Sequence, residues 1–232
     1  MHNKFDNQPT KAKDLTLHFG AHNLNIPDEY GRVTVICSEA IVHQDWDPKD
    51  LRYNDDIAIL LIDKEIQFTQ FIRPVCMWPN DENLEANQGF VVGWGKSEDT
   101  SKVHEEIPKV LKLPITNNEK CYRENSLLAK IAWDQSFCAG KPGVGVCRGD
   151  SGGGFFVKWK GVYYLKGIVS SGVYSDDCQT KDYAIYTDVL KYHEFIDKLE
   201  KYLALRRIGK RLKKSKIIKK NLCYRRAELH LT

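Results

Sequence analysis

No apolar run in the 232-residue sequence is longer than Ile57–Ile62, whereas a helix needs roughly 20 apolar residues to cross a bilayer. The first residues, Met1-His2-Asn3-Lys4-Phe5-Asp6, are polar and contain no apolar signal region. No Cys-x-x-Cys pair occurs among the seven cysteines, so they point to disulfides rather than zinc, and hence to an oxidising compartment. Disulfides and a missing leader are consistent only if the natural N-terminus lies upstream. Metal-binding motifs, phosphate loops and internal repeats are absent, so no cofactor is expected.

Acidic residues are scarce in one region only. Residues 201–232 hold twelve Lys/Arg and a single acid, Glu228, leaving 23 basic and 30 acidic groups in the first 200 residues. A mildly acidic body thus carries a strongly basic tail. The hydrophobic content of 42% suffices for a full core, and the length suits one all-β domain.

Short β-rich runs punctuated by turn residues dominate the chain. Strands are predicted at 15–20, 32–43, 57–62, 88–95, 110–115, 136–139, 154–159, 162–170 and 184–187. The stretch 45–55 reads as a loop, 118–125 as a short helix around Cys121, and the spacing of Val189, Tyr192, Phe195, Ile196 and Leu199 as a C-terminal helix. Many short strands with one terminal helix indicate an all-β barrel class.

The chain is organised around Cys147-Arg148-Gly149-Asp150-Ser151-Gly152-Gly153-Gly154. A serine between glycines sits in a tight turn that a substrate backbone can approach closely, and converging N–H groups there suit an oxyanion. The β-rich run Phe155–Trp159 that follows excludes the strand-turn-helix elbow of α/β-hydrolases.

Gly149-Asp150-Ser151-Gly152-Gly153 after Cys147 resembles the nucleophile signature of trypsin/chymotrypsin-like serine endopeptidases. Within it, Val144 to Gly154 is similar to the same segment in insect regulatory proteases of the gastrulation-defective type. Asn54-Asp55-Asp56-Ile57-Ala58 resembles the segment carrying the family's orienting carboxylate. Leu15–Asn25, Ile41-Val42-His43, Ile72-Arg73-Pro74-Val75-Cys76 and Gly93-Trp94-Gly95 match further landmarks, so the likeness covers roughly residues 15–200.

The resemblance implies a chymotrypsin-like double β-barrel, with residues 1–200 as the peptidase domain and 201–232 as a basic extension. It implies a secreted protein made as a zymogen, with Ser151 as nucleophile, Asp56 as orienter, and the Gly149 and Ser151 N–H groups as oxyanion hole. Cys121 with Cys138 and Cys147 with Cys178 would be disulfides, leaving Cys37, Cys76 and Cys223 over. The family's third barrel bridge is absent, with Val157 at one of its positions.

A serine nucleophile also needs a general base. The family's histidine lies in an Ala-Ala-His-Cys segment upstream of the Leu15 strand, and this sequence has none. His2, His18, His22, His43, His104, His193 and His230 all stand in surface, loop or helix contexts. The resemblance therefore implies an incomplete first barrel, and a chain that is inactive and poorly folded alone. It also implies that Asp150, whose family partner is an amine freed by proteolytic activation, is left buried without a counter-charge.

By the same resemblance Gly145, with Val146 beside it, floors the primary pocket. Gly172 and Ala184 form the walls, and Ser170-Ser171-Gly172 lines the substrate strand. With no acidic floor, an apolar or medium-sized side chain before the scissile bond is expected. Tyr183, where many relatives carry Pro, reads as a packed tyrosine rather than a sodium-site marker. Two other classes stay open: a non-catalytic protease homologue, and a polyanion binder using the tail 206–226. That tail reads first as a solvated extension and second as a site for an anionic glycan. No specific nucleic acid and no membrane span is expected; the partner is a protein or peptide substrate.

Overall fold

The protein is described from a computed structural model covering residues 10–47, 49–50, 52–79, 86–97, 104–175, 178 and 181–209. The basic tail from 210 onward, including Cys223, and the opening nine residues lie outside the described residues.

The first third forms two separate antiparallel pairs. β1 (Thr16–Phe19) pairs with β2 (Val33–Ile36), and β3 (Glu39–Val42) with β4 (Ala58–Leu61). The single β-run expected over 32–43 is thus split at Cys37-Ser38, because β2 turns to β1 and β3 to β4. Neither pair closes on the other among the described residues.

The rest builds one closed barrel. Its strands are β6 (Gln88–Gly93), β7 (Lys109–Thr116), β8 (Ser136–Ala139), β9 (Gly154–Trp159), β10 (Val162–Tyr174) and β11 (Lys181–Asp188). They run in the order β11-β8-β7-β6-β9-β10, and β10 pairs back with β11 to seal the ring. The short strand β5 (Cys76–Met77) lies parallel on β10. Inward positions alternate along each strand, and Val91, Leu113, Phe155, Val157, Val169 and Tyr186 meet in the core. Phe137 stacks on Tyr186 with ring centres 5.2 Å apart, and Phe155 meets both rings edge-on.

Helices α1 (Asn118–Glu124) and α2 (Ser126–Ile131) stand beside the barrel. They are joined at Asn125, where the sequence suggested one short helix. The Asn125 side chain accepts a hydrogen bond from Leu127 N at 3.1 Å, capping α2 as a short polar side chain does. The Cys121–Cys138 disulfide ties α1 to β8. A short 3-10 turn, Val189–Tyr192, leads into α3 (His193–Gly209). Among the described residues, no helix is long and apolar enough to cross a membrane.

Candidate active site

Ser151 is exposed at the tip of the turn between Cys147 and β9. Gly149 and Gly152 adopt φ of +94° and +81°, values that L side chains seldom take, and the flanking glycines are what make the turn possible. The turn is fastened to β10 in both directions: Gly152 N donates to Val169 O at 2.8 Å, and Val169 N donates to Gly153 O at 2.9 Å. The next residue along β10, Ser170, donates its hydroxyl to Asp56 Oδ2 at 2.7 Å. A register shift between Val169 and Ser171 falls at this point, as bulges do where a side chain is re-aimed.

Asp56 lies just before β4, in the first third of the chain. Its main-chain oxygen accepts from Thr187 Oγ1 on β11 at 2.9 Å, so two barrel strands hold it. Its neighbour Asp55 has φ of +56° and accepts from the buried Tyr192 hydroxyl at 3.0 Å. Tyr192 in turn lies 3.3 Å from Trp133 Nε1, which donates to it. Burial above all, with Asp55 also contributing, pushes the Tyr192 phenol pKa up.

The structure therefore brings Ser151 and Asp56 to the same stretch of β10, although they are 95 positions apart. No histidine among the described residues reaches Asp56. His43 lies 3.8 Å from Asp55 and packs edge-on against Tyr192 and Phe195. His18 bonds Thr34, and the His22 carbonyl accepts from the Trp94 indole at 3.0 Å.

Asp150 is buried, 8% exposed, and main-chain amides meet its carboxylate. Gly95 N donates to one carboxylate oxygen and Cys147 N to the other, each at 3.0 Å. Two aimed amides stabilise the charged form of a buried carboxylate. The fit is close: a Cβ on Gly93 or on Gly95 would stand 2.3 Å from Asp150 Oδ1. That explains both glycines of Gly93-Trp94-Gly95. A small cavity of about 30 Å³ lies beside this carboxylate and is lined by Gly93, Gly95, Gly145 and Cys147 among others.

The residues expected to form the primary pocket lie on or beside β10 and β11, apart from Val146. Gly172 lies opposite Ala184 across β10 and β11, with Ala184 Cβ 3.3 Å from where a Gly172 Cβ would be. Gly145 packs against β11 two residues before Ala184, with the Asp182 carbonyl 2.4 Å from where its Cβ would be. Val146 is turned into the barrel core, and Ser171 pairs with Ile185. Cys147–Cys178 and Cys121–Cys138 are both bonded. Cys76 is disulfide-bonded too, and Cys37 is a buried free thiol.

Sequence reasoning did not single out Glu124 and Asn125, whose side chains contact Tyr183 and Asp182 on β11. They sit in a region with no motif, and only the fold brings them to β11.

The family model described as Trypsin matches residues 5–196. The chain belongs to the trypsin family of serine proteases. Among curated relatives of this trypsin-family chain, Serine protease gd of Drosophila melanogaster is 27% identical over 83% of the chain and 43% of its own length. A CLIP domain-containing serine protease, HP8, of Bombyx mori is 32% identical over 70% of the chain and 45% of its length. Complement C1s subcomponent of Rattus norvegicus is 30% identical over 79% of the chain and 28% of its length. The chain thus spans less than half of each of these relatives.

Proposed function

We propose that this chain carries most of the active site of an extracellular serine endopeptidase of the cascade type, with residues 1–200 as peptidase unit and 201–232 as an extension. The reading is carried by the Ser170–Asp56 hydrogen bond of 2.7 Å, one residue along β10 from the backbone bonds that fix the Ser151 turn. In this mechanism Ser151 Oγ attacks the scissile carbonyl. A histidine from outside the described residues takes the proton and passes it to the leaving amine, with Asp56 orienting its ring. The Gly149 and Ser151 N–H groups receive the oxyanion, and water then hydrolyses the acyl-enzyme. The cavity beside Asp150 is the expected seat of an activation amine, and the uncharged Gly145 floor favours an apolar or medium-sized side chain before the scissile bond. The Cys121–Cys138 and Cys147–Cys178 disulfides support an extracellular setting.

A second reading follows from one observation. Asp56 is engaged by Ser170 and by no histidine among the described residues, which fits a non-catalytic homologue that binds without cleaving. Fluorophosphonate labelling separates the two. The enzyme reading expects the protein translated from the full-length transcript, once activated, to label at Ser151 and to lose the label with Ser151→Ala. An activated full-length protein that remains unlabelled would establish the homologue.

A further inference from the structure

The turn between α1 and α2 makes two side-chain contacts with the strand that walls the primary pocket. Asn125 Nδ2 donates to Asp182 Oδ2 at 2.8 Å, and the buried Tyr183 hydroxyl donates to Glu124 Oε2. Asp182 and Tyr183 directly precede Ala184. Through its main chain Asp182 also presses on the floor, its carbonyl 2.4 Å from where a Gly145 Cβ would be and 3.3 Å from the same point on Gly140. The anchors are themselves fixed: α1 is tied to β8 by the Cys121–Cys138 disulfide, and β8 pairs with β11 opposite Ala184.

We propose that Glu124 and Asn125 are positioning residues for substrate specificity, holding Asp182-Tyr183-Ala184 at the spacing from Gly145 and Gly172 that sets the size of apolar side chain the pocket takes. The inference rests on reading Gly145, Gly172 and Ala184 as the substrate pocket. A Cβ at Gly145 would meet the Asp182 carbonyl, and one at Gly172 would meet Ala184 Cβ and the Tyr174 ring, so the position of β11 helps set the width there. Without the two hydrogen bonds, Asp182 is free to shift toward the floor, and a large ligand loses room before a small one does. Asn125 has a second duty as the cap of α2, so its substitution must be chosen to keep that cap.

Asn125→Asp does so: an aspartate still accepts from Leu127 N, but it sets a carboxylate against Asp182 in place of a donor. The test uses the full chain and needs no catalysis. Binding of indole and of isobutanol is measured by ligand-observed NMR, with Ala184→Phe as the variant that fills the pocket. The expected result is that indole binds, that Ala184→Phe abolishes the binding, and that Asn125→Asp weakens indole about tenfold while isobutanol changes less than twofold. Asn125→Asp combined with Asp182→Asn exchanges donor and acceptor, and is expected to restore indole binding. Glu124→Gln, which keeps an acceptor for Tyr183, is expected to stay within threefold of the parent, and Glu124→Ala to lose about tenfold. If indole fails to bind, or binds equally to Ala184→Phe, the pocket reading falls and takes this inference with it. If the pocket binds indole and Asn125→Asp leaves the indole-to-isobutanol ratio unchanged, the inference alone is overturned. It is overturned equally if the double variant recovers thermal stability without recovering the ratio.

Discussion

Gly95 and Asp150 show how little latitude single residues have around Ser151. The Gly95 amide donates to Asp150 Oδ1 from a position where any Cβ would overlap the carboxylate. Gly95→Ala therefore forces the carboxylate away from its donors, and overpacking of this kind costs about 1–3 kcal/mol. A urea midpoint unchanged by Gly95→Ala would refute the close fit. Tyr183 supplies a second residue-level prediction. Its hydrogen bond to Glu124 first, and burial second, push its phenol pKa up to about 12 from the usual 10. A raised acid pKa means the folded protein favours the neutral phenol, so this stabilisation is complete below pH 10 and is lost as pH rises toward 12. Absorbance titration at 295 nm should show one tyrosine ionising later in the parent than in Glu124→Ala. Superimposable titrations would refute the assignment.

Among the elements, legibility followed the range of the cause. The turn around Ser151 was readable because its glycines and the β-rich run after it are local signals, and the helical spacing from Val189 to Leu199 was long enough to register. The two-residue β5 and the six-residue α2 carry too few positions for either period. The Ser170–Asp56 contact joins residues 114 positions apart; resemblance singled out the two residues separately, and their meeting was not legible. The Glu124–Tyr183 contact spans 59 positions and left no trace in any local pattern. The disulfide that fixes α1 closes a loop of 17 residues, for which loop entropy suggests about 3 kcal/mol. Replacing Cys121 and Cys138 together by serine should lower the unfolding free energy by that order, measured by denaturant titration. A loss below about 1 kcal/mol would show that β8 and the helices hold α1 without it.

At the scale of the whole molecule the two parts of the chain are unequal. Residues 88–188 form a sealed barrel around stacked aromatic rings, whereas β1–β2 and β3–β4 are isolated pairs, and two-stranded pairs are marginal alone. Exposed Ile36, Val42 and Tyr53 sit on or beside them, at 63%, 39% and 44% accessibility. Amide hydrogen exchange should proceed in β1 to β4 well before the barrel strands. Uniform protection across both would contradict this division.

Asp56 belongs to the weaker part, yet its side chain and main chain are gripped by hydroxyls of Ser170 and Thr187 on two different barrel strands. A molecule built this way behaves as a coincidence detector. Any peeling of the β3–β4 region removes the Asp56 carboxylate from Ser170 in one movement, so the chemistry proposed at Ser151 would report whether the two parts are docked. Anything that secures the first part, such as a further strand or a bound neighbour, then acts as a throttle on the site without touching it.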